Sequence, residues 1–133
     1  MSITDVVETL NSFDCRAVVE RAIREIRGAP ALPHVAALPD ATLTEWCTSA
    51  EAGLQMWIHG QDSTIVNMIY YDLGRAGATA GIPPPELVQA LALVLNVGRI
   101  AASTVDSGPY NPLTMFSQYA QYYLARGYED ALR

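Results

Sequence analysis

Four residues of this chain are of the types that most often bind metals or act as nucleophiles: Cys15, His34, Cys47 and His59. They lie on four separate segments with no second ligand near any of them, so no local metal signature forms. Two lone cysteines at this spacing make neither a zinc pattern nor a redox pair, and both read as buried thiols. His34, between Pro33 and Val35, reads as a surface or hydrogen-bonded histidine. His59 precedes Gly60 at the end of a helical pattern, where the helix dipole favours a cation. A haem ligand would sit within a helix and face an apolar pocket, and His59 at a helix end fits that role poorly. No serine stands in a G-x-S-x-G turn. GRAGATAG, Gly74 to Gly81, is glycine-rich but lies inside a helical pattern and has no lysine to meet a phosphate.

Chemistry would therefore have to come from scattered side chains. Asp72 and Arg75 are three apart on a helix, beside Tyr71, and that spacing is commoner for a surface ion pair than for catalysis. Trp46 and Trp57 are large core or interface anchors that would alternatively serve as stacking platforms for a ligand. Trp46, Trp57, Tyr71 and Arg75 are the candidate ligand-binding residues. No catalytic residue, metal or cofactor is expected, and the chain does not read as an enzyme.

Composition agrees with that restraint. The formal charge is −6 and the pI about 4.7. All eight basic residues are arginine. Such a chain is repelled by phosphate backbones, and the arginines of Arg16 to Arg27 alternate with Glu20 and Glu25 as on a solvated helix face, so nucleic acid is an improbable partner. No apolar run reaches the length of a membrane span. The first residues lack a basic segment followed by an apolar run, so they do not form a secretory signal, and a cytoplasmic protein is the default expectation. At 133 residues, half of them hydrophobic, the chain suits one domain, residues 1–133, with a sizeable core.

The elements that must position these residues are helices. Between Met1 and Leu10, Val6, Val7 and Leu10 form a small apolar face. From Asp14 to Arg27, Val18, Val19, Ala22, Ile23 and Ile26 face inward, and Glu20 and Arg24 are spaced for a surface pair. Prolines 30, 33 and 39 deny Gly28 to Pro39 regular helix, with Leu32, Val35 and Leu38 pinning it to the body. Thr42 with Glu45 reads as a capping box before the helix of Leu43, Trp46, Cys47, Ala50, Leu54, Trp57 and Ile58. Asp62 or Ser63 opens the next helix, whose Ile65, Ile69, Leu73, Ala76 and Ala80 recur at helical spacing. Leu87, Leu91, Val94, Leu95, Gly98 and Ala102 do the same beyond the break Gly81 to Glu86. These two faces are expected to pair as a central antiparallel α-hairpin, with Gly77 or Gly98 at a close contact. Gly74 and Gly77 cost stability inside a helix, and the close approach of a neighbouring backbone is the expected reason for tolerating them. Asn111 caps the last helix, with Pro112 at its first position after the loop Asp106 to Pro112. The fold class expected is an all-α, single-domain bundle of five or six helices.

Leu73 to Val94, LGRAGATAGIPPPELVQALALV, resembles the core of the RsbRD-type N-terminal domain. That domain stands at the front of stressosome co-antagonists, some sensor histidine kinases and related bacterial regulators. There the stretch runs Leu-Gly-Arg, then a Gly-(Ile/Val)-Pro break, then a Leu-Val-x-Ala-Leu helix opening. Leu73, Gly74, Arg75, Gly81, Ile82, Pro83, Leu87, Val88, Ala90 and Leu91 fit. The ending Tyr122 to Arg133 is similar to the family's last helix, with its Tyr-Tyr pair and following Gly-Tyr. The resemblance implies an all-helical sensory or regulatory module for signal transduction or stress response, non-catalytic and often dimeric. The resemblance runs to the end of the given sequence, with no kinase, STAS or DNA-binding output after it, so the chain is expected to be either an isolated domain or a free-standing relative that acts through a downstream signalling protein.

Two functions are thus expected in order: a bacterial regulatory module acting through protein contacts, or a small-molecule-binding or enzymatic domain with its pocket between helices. The discriminating feature is whether the aromatics surround a cavity or fill the core. Tyr119, Tyr122, Tyr123 and Tyr128 spread over more than one face of the last helix. Tyrosine suits surfaces that are half wet, so Tyr119, Tyr122 and Tyr128 are the expected interface of a homodimer.

Overall fold

The structure is a computed structural model, and it describes residues 15–60, 62–102 and 112–133. The helix expected near Met1 to Leu10, the Asp106 to Pro112 loop, the Asn111 cap and the side chain of Cys15 lie outside the described residues. Six helices pack together and no strand occurs among the described residues: α1 Cys15–Arg27, α2 Pro33–Ala36, α3 Asp40–Ile58, α4 Ser63–Thr79, α5 Pro84–Ala102 and α6 Pro112–Ala131. The all-α bundle is as expected.

Helix α1 buries Val18, Val19, Ala22 and Ile26 and turns its charges to water. The surface pair that forms is Arg21 with Glu25 at 3.4 Å, rather than Glu20 with Arg24; Glu20 lies instead on a groove with Thr44 and Thr48. Arg27, at the helix end, reaches across the connection that follows. It donates to the carbonyls of Ala36 (2.6 Å) and Leu38 (3.2 Å) and pairs with Asp40. Under this strap Leu32 and Val35 are buried. The connection is not wholly irregular: Pro33 occupies the first position of the single turn α2, where its missing N–H leaves no bond unmade.

Helix α3 starts earlier than a Thr42 cap would have it. Pro39 is extended (φ −56°, ψ 148°) and its carbonyl accepts the Leu43 N–H at 2.9 Å, so the helix opens at Asp40 without a side-chain cap. Thr42 and Glu45 are exposed. The carboxylate of Asp40 lies in the first turn, where the helix dipole favours it. The middle of α3 is buried nearly all round, from Ala50 through Leu54, because α1, α4 and α5 pack on different sides of it. Gly60, at φ 73°, closes it after His59.

Asp62 caps α4, its carboxylate accepting the Thr64 N–H at 2.7 Å. The end of α4 is a Schellman motif: the Ile82 N–H bonds to Gly77 O and the Gly81 N–H to Ala78 O, both at 3.0 Å, with Gly81 at φ 75° and Ile82 buried. The buried stripe of α4 differs from the expected one. Val66, Tyr70, Leu73, Gly74 and Gly77 are buried, whereas Ile65 and Ile69 are half-buried and Ala76 and Ala80 are exposed. The stripe is rotated because the glycines, which carry no hydrophobic signal, are where other helices come closest.

That rotation undoes the central α-hairpin. The helices do follow one another across the Gly-Ile-Pro turn, but α4 meets α5 chiefly beside it, where Gly77 faces Leu87. Helix α4 lies mainly along α6, and α5 packs its Leu87, Leu91, Val94 and Leu95 stripe against α1, α3 and α6. Asn67, early in α4, meets Tyr119 in the first half of α6, and Ile82, just past α4, meets Tyr128 near its end. The α4 and α6 helices therefore run in the same direction. Phe116, Ala120, Leu124 and Gly127 form the buried stripe of α6.

Candidate functional site

The candidate residues fall into three places. Trp46 is on α3, and its indole N–H donates to the Leu73 carbonyl of α4 at 3.3 Å. Its edge lines an open groove of about 390 Å³ between α3 and α4, with Thr42, Glu45, Ser49, Ile69, Asp72, Leu73 and Ala76. Trp57, at the end of α3, stacks on Phe116 of α6 with ring centres 4.8 Å apart and planes 26° from parallel. Tyr70 meets the other side of this cluster, its ring edge-on to Phe116 at 5.6 Å. Tyr71 and Arg75 lie on the α4–α6 seam. The Tyr71 hydroxyl donates to Asp130 at 2.5 Å, and the Arg75 guanidinium sits 6.0 Å from the Tyr71 ring centre. Asp72 does not pair with Arg75: it lines the groove with Trp46 while Arg75 lies over Tyr71. Trp46, Trp57, Tyr71 and Arg75 thus do not converge on one cavity.

The tyrosines of α6 also divide. Tyr119 donates to the Asn67 side chain, and its ring packs 5.1 Å from that of Tyr123. Burial, then Tyr123, push its hydroxyl above the ordinary tyrosine range. Tyr128 donates to the Ile82 carbonyl at 2.6 Å, tying the end of α6 to the α4–α5 turn. Tyr122 is 54 % exposed and accepts from Arg126 at 3.0 Å. It is the one of the three expected interface residues that turns mostly outward.

His34 is hydrogen-bonded, as its sequence context indicated. Its Nδ1 lies 2.8 Å from one oxygen of Glu86, and the other oxygen accepts the Val35 N–H at 2.7 Å. Glu86 is buried in the first turn of α5. Burial opposes its charge, but the Val35 N–H and His34 outweigh it and hold the carboxyl below the usual range. The carboxylate caps the one-turn helix α2 from 51 residues away. Cys47 is free and buried, and burial pushes its thiol up to about 12, so it is inert at neutral pH. Among the described residues no three His, Cys, Asp or Glu side chains gather as a metal site would require, and no helix is long and apolar enough to cross a membrane.

Sequence reasoning passed over Glu51. It is fully buried, at 0 % exposure, in the middle of α3. Gln55 donates to its Oε1 at 2.7 Å, and its Oε2 has no hydrogen-bond partner among the described residues. Burial raises its carboxyl to about 7, with the Gln55 bond lowering it in part. The signal was present: Glu51 stands four residues after Cys47 and three before Leu54, on the apolar face of its own helix. Comparison of the chain with protein-family models, with curated proteins and with solved structures finds no match.

Proposed function

We propose that this chain is a non-enzymatic regulatory module of the RsbRD-like kind, working in the cytoplasm through contacts with other proteins and first of all with a second copy of itself. The observation that carries this reading is the use made of the aromatic side chains. Trp57, Tyr70 and Phe116 pack on one another, and Trp46 is fastened to Leu73, so these residues fill the seams between helices instead of walling an enclosed chamber. The residues that carry the family resemblance have the same character. Leu73 is core, Gly74 meets the backbone of α6, Gly81 and Ile82 form the α4 cap, and Leu87, Ala90 and Leu91 are buried on α5. They hold a shape rather than a ligand, as a module that signals through its surface would need.

The surface for self-association is the outer side of the α4–α6 pair. Met68 of α4 is 59 % exposed and Tyr122 of α6 54 %. Tyr119 and Tyr128 have their hydroxyls engaged within the chain, so they support Tyr122 rather than meet a partner themselves. A downstream signalling protein would read the state of this pair. Sedimentation velocity from low to high micromolar concentration is the test. A dimer that is weakened by Met68→Ser with Tyr122→Ser is expected. A single species of monomer mass at high micromolar concentration overturns self-association.

A further inference from the structure

Glu51 sits where three helices meet. It projects from α3, the helix with neighbours on most sides. Across from it, on α5, is Gly98. A Cβ at Gly98 would land on the Glu51 Oε2 and come within 2.8 Å of the Leu54 side chain. Glycine is thus what lets α5 lie directly over the carboxyl, and the price in that position is a helix residue about 1 kcal/mol poorer than alanine. On the third side is Tyr70 of α4. Its ring fills the space over Gly53, where a Cβ would stand 2.7 Å from the phenol oxygen, and its hydroxyl donates to the Ala50 carbonyl at 2.8 Å. The nearest phenol donor is therefore already engaged one residue from Glu51.

Among the described residues, one oxygen of this enclosed carboxylate has no partner to disperse its charge. Gln55 supplies one hydrogen bond, to Oε1. The other charged and titratable groups whose side chains are described around the site do not help. Cys47, one turn back on α3, is a neutral thiol. Tyr70 is held neutral by burial and then by Glu51 itself. From α1, Arg16 and Glu20 are exposed and line a groove with Thr44 and Thr48, which precede the buried Glu51 on α3. On α5, Val94, Leu95, Asn96 and Val97 precede Gly98 and none is titratable; the charged residue that follows it is Arg99, whose side chain lies outside the described ones. From α6, the contact is Phe116 on Trp57. A buried ion without a partner destabilises the packing that encloses it, whereas the neutral acid, which can also donate, is tolerated.

We propose that Glu51 is a proton-operated latch between α3 and α5: protonated, it lies closed under Gly98, and on losing its proton it drives the two helices apart around that contact. The inference does not depend on whether the chain self-associates. It adds a proton as an input that the fold reads directly. The closed form binds the proton more tightly than an open form in which water reaches the carboxyl. The ratio of closed to open molecules is therefore constant below the ordinary carboxyl range near 4.5. It falls about tenfold for each pH unit as pH rises to about 7, where the closed form itself ionises, and it is level above that. The latch works between mildly acidic and neutral conditions.

Two measurements on the full chain test it. The first follows the Glu51 side-chain carboxyl by carbon-13 NMR across pH 4 to 9. A midpoint near neutrality is expected, and one in the ordinary range for glutamate overturns the proposal. The second is native-state amide exchange, corrected for the intrinsic rate, in α3 and α5. Protection of amides from Val94 to Gly98 and from Cys47 to Gln55 should fall roughly tenfold per pH unit between about pH 5 and 7, and Glu51→Gln should abolish that dependence. Equal pH dependence in the wild type and in Glu51→Gln overturns the latch even where the NMR midpoint is high. The carboxyl titration needs no variant, so the proposal stays falsifiable if Glu51→Gln fails to fold.

Discussion

Gly74 and Gly127 face each other's helices at the crossing of α4 and α6. A Cβ at Gly74 would strike the Leu124 carbonyl, and one at Gly127 would strike the Tyr71 carbonyl. The two backbones are thus in direct contact, with each glycine set into a turn of the other helix. Neither a carbonyl nor a helix axis can move aside as a side-chain tip can.

Gly74→Ala and Gly127→Ala should therefore each destabilise the fold by about 2–3 kcal/mol, the upper part of the range for overpacking. Gly77→Ala should do much less. There the nearest atoms to the added methyl all belong to the Leu87 side chain, whose end can turn, and alanine recovers about 1 kcal/mol of helix propensity. Urea unfolding of the three variants gives the ranking. A Gly77→Ala loss equal to that of Gly74→Ala would show that the backbone contact is not what matters.

Glu86→Ala should destabilise by about 2 kcal/mol at neutral pH, since the carboxylate joins the starts of α2 and α5 and its removal leaves the Val35 N–H without an acceptor. His34→Ala should have a smaller effect, because the imidazole is 58 % exposed and its pairing is screened. The pH dependence follows from the lowered carboxyl of Glu86. The folded state binds this proton less tightly than the unfolded chain does. The contribution is therefore present above the ordinary carboxyl range and is lost as pH falls through the lowered value of the folded state. Unfolding curves of the wild type and Glu86→Ala should converge in acid.

Among the α6 tyrosines, removal of the hydroxyl should separate structural from outward-facing roles. Tyr128→Phe should lower stability by about 1 kcal/mol by freeing the Ile82 carbonyl, and Tyr119→Phe by a similar amount through Asn67. Tyr122→Phe should leave the melting temperature unchanged, because its bond to Arg126 is at the surface. Thermal unfolding at a concentration low enough to keep the chain monomeric is the measurement.

These residues also mark how far the sequence could be read. The α1 face of Val18, Val19, Ala22 and Ile26 was visible as a period, because charged and apolar side chains alternate cleanly there. The seam of α4 was legible only in part: Gly74 and Gly77, costly inside a helix, pointed to the close approach of a neighbouring backbone, and Gly74 does meet the backbone of α6. Hydrophobic spacing pointed to Ile65, Ile69 and Ala76, whereas the stripe that is buried runs through Tyr70, Gly74 and Gly77. Glycine contributes no apolar surface, so a face built for close approach looks empty to any count of hydrophobic residues. The capping box at Thr42 and Glu45 was a sound local motif overridden by another, since Pro39 starts α3 three residues earlier. Of the candidate site residues, the partners of Trp46, Tyr71 and Tyr128 are carbonyls or carboxylates 27, 59 and 46 residues away, which no local spacing announces.

By itself the sequence determined several of the helix ends. Gly60 and Gly81 take the positive φ that ends a helix, Asp62 caps the next, and Pro33 and Pro84 stand at first positions, all through forces that act within a few residues. It also supplied the hydrophobic residues, half of the chain, from which a sizeable core is built. The tertiary structure alone decided that α4 lies along α6 instead of α5, that Glu86 caps α2, and that Glu51 is enclosed beneath Gly98. Those outcomes rest on the fit between surfaces far apart in the chain, where the absence of one side chain sets how closely two backbones approach, and that fit exists only once the helices have met.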